Sequence, residues 1–338
     1  MIRVRLSGST LTTHVRLALS ALLLAAHVSA QAPTADLPPA EDPPELTAMQ
    51  RQKLLRAVKQ LRNSNATKRA EVEQDVIAFG RGAIPELMDA ASTTHAGMLA
   101  GLQLCLVELV DTRDRLLVED QLQAERVVLR RFGAQAVGKL GIPRQLDLLP
   151  DLLNDSDEDV ATLAALSLAH NGREQGLGRL VDTWLLAREA SETRAGEPTS
   201  SSRRSKRSSE PDPALRWKQP ILDAITGLTD EGSHAGLVAR LKIDPRMEQD
   251  DPAGAAAVRL AAIELLHHLG DEAAVRGIAR ALEDHHNLVQ RAAINALRDL
   301  VEQQPPFQGA TFQQIRELER LRDVVQAWRG FEHEPDEG

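Results

Sequence analysis

Apolar residues return along this chain at the spacing of one helix face. Val258, Ala261, Ala262, Leu265, Leu266 and Leu269 lie at i, i+3, i+4, i+7, i+8 and i+11, which predicts an α-helix with a single apolar stripe. The pattern comes back at Val289, Ala292, Ala293, Ala296, Leu297 and Leu300. Earlier copies run from Leu129 to Leu140, from Val160 to Leu168 and from Leu99 to Val110, with a worn copy at Val72, Val76 and Phe79 and another from Trp217 to Leu228. The stripes open at 68, 99, 129, 160, 217, 258 and 289, at intervals of 31, 30, 31, 57, 41 and 31. A fixed period of this size predicts stacked helix pairs, each unable to bury its apolar face alone.

The two long intervals imply insertions, and composition places them. Residues 190–215 are rich in Ser, Arg, Glu and Pro, and residues 244–254 read DPRMEQDDPAG; both predict loops. Shorter partner stripes lie between the long ones. They fall at Ile84–Met88, Leu146–Leu153, Leu177–Trp184, Leu237–Leu241 and Val275–Leu282. Asp155, Asp157, Asp230, Asp271 and Asp284 crowd the turns, where a carboxylate accepts the unpaired N–H groups of a helix start. Pro220 falls inside a stripe, so the helix there is expected to kink or restart.

Residues 127–172 and 255–300 resemble HEAT repeats of the short type, about 30 residues long, also found in phycobilin-lyase-type proteins. The resemblance spans about 66–302. It implies an all-α fold, a right-handed α-solenoid of about six to seven helix pairs, with one helix of each pair lining a concave face. HEAT arrays serve mostly as scaffolds and adaptors, so the resemblance implies protein binding and names no substrate. The HEAT-fold deoxyhypusine hydroxylases bind iron through repeated His-Glu dipeptides. This chain has only His333-Glu334, so that activity is not expected; nor does anything indicate a chromophore site.

The start of the chain predicts export. Arg3, Arg5 and Arg16 give a positive start before an apolar run at 17–26, and Val28-Ser29-Ala30 and Ala30-Gln31-Ala32 offer cleavage sites, the order of a signal peptide. The expected layout is a signal peptide at 1–30, a Pro-rich linker at 31–45 and repeats at 46–189. After the basic insertion at 190–215, repeats resume at 216–302, then a capping helix at 303–330 and a polar tail. The mature chain is expected in the periplasm, cell envelope or outside the cell, with no transmembrane span.

Composition adds three points. Of 338 residues 42% are apolar but only 2% aromatic, which favours close-packed Leu, Ala and Val helices. Net charge is −9, without the basic face nucleic acid requires. The one cysteine, Cys105, sits in an apolar run and reads as a buried inert thiol. Candidate chemistry is sparse. His267 and His268, with Glu264, end one stripe helix, and His285 and His286 open the next; imidazole and carboxylate from two elements could hold zinc or iron. The alternative is solvated helix ends. Asp155 to Asp159 resembles a calcium loop but lacks its Gly and Glu, and reads as a capping turn. Arg203, Arg204, Lys206 and Arg207 form a basic patch that could dock an acidic, unidentified protein partner. No cofactor is expected, and no catalytic set stands out.

Overall fold

The computed structural model describes residues 37–62, 65–93, 96–196, 213–228 and 231–303. Among them every regular element is a helix. The chain divides into two compact units, residues 1–171 and 172–338, each an α-solenoid segment.

In the first unit the helices are α1 (Ala48–Gln60), α2 (Ala66–Ile77), α3 (Ile84–Thr93), α4 (Ala96–Leu109), α5 (Arg115–Gln121), α6 (Val127–Leu140), α7 (Pro143–Leu146), α8 (Leu149–Leu152) and α9 (Glu158–His170). The stripe helices form one row: α2 packs on α4, α4 on α6, and α6 on α9. The partners α3, α5 and α8 each pack on a neighbouring stripe helix. Stripe residues Val76, Leu102, Leu106, Phe132, Val137, Val160 and Leu168 are buried. Burial pushes the Cys105 thiol up to about 12, which keeps it protonated and inert.

In the second unit the helices are α10 (Leu177–Gly196), α11 (Lys218–Thr226), α12 (Glu231–Arg240), α13 (Pro245–Asp250), α14 (Pro252–Leu269), α15 (Glu272–Ala279) and α16 (Asn287–Gln303). Here α11 packs on α14 and α14 on α16, while α12 packs on α15 beside them. Ile221, Ile225, Ala262, Leu265, Leu266, Val289 and Leu297 fill the core.

The turns use the chemistry their residues suggest. Asp157 accepts from Val160 N at 3.0 Å and Asp271 from Ala274 N at 2.8 Å. Gly141 (φ 62°) and Gly270 (φ 65°) end α6 and α14 in the left-handed region, where a Cβ is strained. Pro220 falls in the first turn of α11, where its missing N–H costs no helical bond.

Several expectations need correction. Residues 245–250 and 252–254 are helical rather than a loop. The two Asp-Pro pairs that read as breakers are helix starts: Asp244 caps α13 and Asp251 caps α14, with Pro245 and Pro252 opening the helices. A partner helix, α5, stands between the 99 and 129 stripes where none was expected. The Leu146–Leu153 partner is two single turns, with Pro150 at the start of the second. Helix α10 runs to Gly196, so the interruption begins later than 190. Part of the Pro-rich linker is held in place. Glu41 N donates to Arg113 O at 3.1 Å, Arg81 donates to Glu41 O at 2.8 Å, and a Cβ on Gly82 would meet Pro44 O at 2.7 Å. The signal peptide, Asp230, the basic patch and the capping helix beyond 303 lie outside the described residues.

Candidate functional site

Arg–Asp pairs lie at the turns beside the stripe helices. In the first unit Arg81 donates from Nε and Nη2 to Asp114, at 2.6–3.1 Å, and Asp114 is 1% exposed. Hydrogen bonding to Asp114 holds the Arg81 guanidinium above its usual value. Farther along, Arg130, one place after Leu129, donates to both oxygens of Asp155 at 2.7 and 3.0 Å. Its Nη1 closes on the carbonyls of Ala124 and Glu125, both at 3.0 Å. Arg131 pairs with Asp157 and Asp159 at 2.7 and 2.9 Å. Asp155, Asp157 and Asp159 of the acidic run are therefore paired with two arginines of α6, and Asp157 caps α9, as expected.

The second unit repeats the arrangement with a change. Arg259, one place after Val258, is 1% exposed. Its Nε lies 2.8 Å from Asp284 Oδ2, and Nη2 donates to Oδ1 at 3.4 Å. The span from arginine to aspartate is 25 residues, as for Arg130 and Asp155. Nη1, however, reaches no carbonyl of the preceding turn. It donates to Glu248 Oε2 of α13 at 2.8 Å, while Glu248 Oε1 lies 2.6 Å from His285 Nε2. One carboxylate is thus gripped at each oxygen by a different side chain. The hydrogen bond from Arg259, and then that with His285, holds the Glu248 carboxyl below its usual range. His285 Nδ1 also lies 3.8 Å from Asp284, and Asp284 Oδ1 accepts from His286 N at 2.8 Å.

Three further side chains from the sequence reading fall elsewhere. His267 and His268 occupy the last turn of α14, where His267 lies 3.8 Å from Asp299. Burial lowers the His268 value, outweighing the opposing effect of nearby Asp223, with His267 adding to the fall, so its neutral form is favoured despite the helix C-terminus. Glu264 accepts from Trp184 Nε1 at 2.7 Å and pairs with Arg188 at 3.2 Å. Among the described residues no group of three or more His, Cys, Asp or Glu side chains is placed to hold a metal ion. The four histidines are therefore shared between two separate sets of contacts. Sequence reasoning missed Arg259 and Glu248. An arginine inside an apolar stripe was the available signal for the first; for the second it was a carboxylate four residues after an Asp-Pro helix start.

No family model and no curated protein matches the chain. Solved structures do. Human deoxyhypusine hydroxylase, in complex with glycerol, is 19% identical, with 82% of this chain and 97% of that one covered and a TM-score of 0.29. The complex of CpcE and CpcF of phycocyanin lyase from Nostoc sp. PCC7120 is 18% identical, with 87% and 100% covered and a TM-score of 0.26. An engineered protein is 15% identical, with 74% and 97% covered, at 0.24. Scores this low carry no argument about chemistry. The fold rests on the helix rows described above.

Proposed function

We propose that this chain is an exported HEAT-like scaffold that binds another protein along its stacked helices. The observation behind this reading is the helix row itself. Leu and Ala side chains are consumed between α2, α4, α6 and α9. Polar side chains then face one another from helix to helix, as Gln103 does Gln135 at 2.7 Å. A surface that repeats from helix to helix suits an extended partner. No described helix is long and apolar enough to cross a membrane.

The test is cross-linking with mass spectrometry on the native envelope fraction, using tagged full-length protein. One partner cross-linked along the stripe helices supports a scaffold. Stoichiometric zinc or iron in the purified protein would instead favour a metal-dependent enzyme using His267, His268, His285, His286 and Glu264. A cell-envelope component with no discrete ligand would give neither result. Export is tested separately: N-terminal sequencing should find mature protein starting at Gln31 or Pro33. The segment with Arg203, Arg204, Lys206 and Arg207 is proposed as a docking element for an acidic partner. Deleting 195–210 should then weaken binding at low salt and have less effect at high salt, where exposed charges are screened.

A further inference from the structure

We propose that Arg259 and His285 form a receptor for a carboxylate, which Glu248 occupies from within the chain and which an acidic side chain of a partner protein takes when α13 is displaced. The grip has the form of a recognition site. Each oxygen of one carboxylate meets its own donor, Arg259 Nη1 at 2.8 Å and His285 Nε2 at 2.6 Å, and hydrogen bonds of this ionic kind are the strong ones. Asp284 fixes the guanidinium from its other edge, with 2.8 Å between Arg259 Nε and Asp284 Oδ2. The receptor is thus built by the repeat, from a stripe helix and the turn that opens the next one.

Its present ligand is not part of the repeat. Glu248 comes from the insertion that breaks the 31-residue period. Helix α13 buries none of its residues, and its Glu248 side chain is held by these two contacts. It is bounded by Asp244 and Asp251, each followed by a proline, which makes it a discrete six-residue segment between two helix caps. The repeat does not need it: Arg130 satisfies the same guanidinium with Ala124 and Glu125 carbonyls, and Ser156 stands where His285 does. A guanidinium and an imidazole converging on a carboxylate from an unburied insertion match an occupied binding site better than a structural joint. Ile243, Met247 and Leu288, in the segments that carry the clamp, are exposed large apolar residues. The partner segment expected is therefore a glutamate or aspartate flanked by apolar residues. It competes with an internal ligand at high effective concentration, so wild-type protein should bind it weakly.

The experiment uses the full-length protein and a labelled peptide copying residues 242–252. E248A should bind the peptide at least about 10-fold more tightly than wild type, since one charge-assisted hydrogen bond is worth that factor. The same peptide carrying E248Q should lose about 10-fold on E248A, and adding H285Q to E248A should also weaken the Glu-containing peptide. Hydrogen exchange in E248A should speed up at 244–251 while 258–269 stays protected. Equal binding to wild type and E248A, no preference for Glu over Gln in the peptide, or no binding to E248A at millimolar peptide would each overturn the proposal. Unfolding of both E248A and E248Q would overturn it too, because α13 would then be a structural part of the array.

Discussion

The Arg130 junction of the first unit and the Arg259 junction of the second are built from one plan and completed differently. In both, an arginine one place into the stripe reaches an aspartate 25 positions on. The first unit closes the arginine with main-chain carbonyls and leaves its side chains 14% and 8% exposed. The second closes it with a second carboxylate and leaves 2% and 3%. The difference teaches that an insertion can take over a polar contact the repeat would otherwise make with its own backbone. It also buries the charges more deeply, which raises the cost of breaking the pair.

That contrast gives the largest expected effect. Arg259→Met should cost about 3–5 kcal/mol, because Asp284 is left buried without its partner. Arg130→Met should cost less, about 1.5–3 kcal/mol, since water reaches Asp155 more easily. Chemical denaturation of both variants checks the order; equal losses would mean that burial does not separate the junctions. In a helical array the damage stays near the lesion, so hydrogen exchange should loosen residues 258–300 in the first variant and spare 66–110.

The helix contacts differ in the same way, with a smaller effect. Gly138 lets α6 approach α9 closely, and a Cβ there would overlap the Ser167 side chain, whose hydroxyl donates to Ala134 O at 2.9 Å. The equivalent repeat position in the second unit is His267, and Ser167 is matched by Ala296. Gly138→Ala should therefore destabilise by about 1–3 kcal/mol through overpacking. His267→Ala, at a partly exposed site, should change stability by no more than about 0.5 kcal/mol. Thermal melts of the two proteins make the comparison.

Acid should separate the junctions without any mutation. The Glu248 carboxyl is lowered from 4.5, first by Arg259 and then by His285, and the Asp155 carboxyl is lowered from 3.8, first by its hydrogen bond from Arg130. A carboxyl whose folded value is depressed adds stability above its unfolded value, and that stability is lost as pH falls through the folded value. Loss should thus begin below 4.5 at α13 and below 3.8 at the 155 turn. Hydrogen exchange across pH 6 to about 3, corrected for intrinsic rates, should show 244–251 opening first. Simultaneous opening of both segments would remove the distinction between them.

The fold was largely legible because the stripes carry it. Positions such as Leu265, Leu297 and Val137 recur at helical spacing, and their burial follows from that spacing. Gly141 and Gly270 close α6 and α14 for an equally local reason, since Gly takes the left-handed conformation without Cβ strain. The junctions were not legible. Arg130 and Arg259 pair with residues 25 positions away, and hydrophobic periodicity says nothing about polar partners across a turn. The Asp-Pro pairs at 244 and 251 misled because the same dipeptide breaks one helix and starts the next. The histidines drew the eye by type, but the carboxylate that His285 meets stands on α13, which read as a loop.

The smallest effect is the one expected from giving the first junction the second one's histidine. Ser156 follows Asp155 as His285 follows Asp284, and it is exposed. Ser156→His adds an imidazole beside a closed Arg–Asp pair, but the first unit has no inserted carboxylate for it to grip. Stability should therefore move by no more than about 0.5 kcal/mol, and no segment should gain protection from exchange. Grafting α13 with Glu248 before α6 in the same variant should change that, protecting the graft only when the histidine is present. If Ser156→His alone stabilised the turn by more than about 1 kcal/mol, His285 would be acting on Asp284 rather than on Glu248. The difference between the junctions would then lie in the turn, with the insertion a bystander.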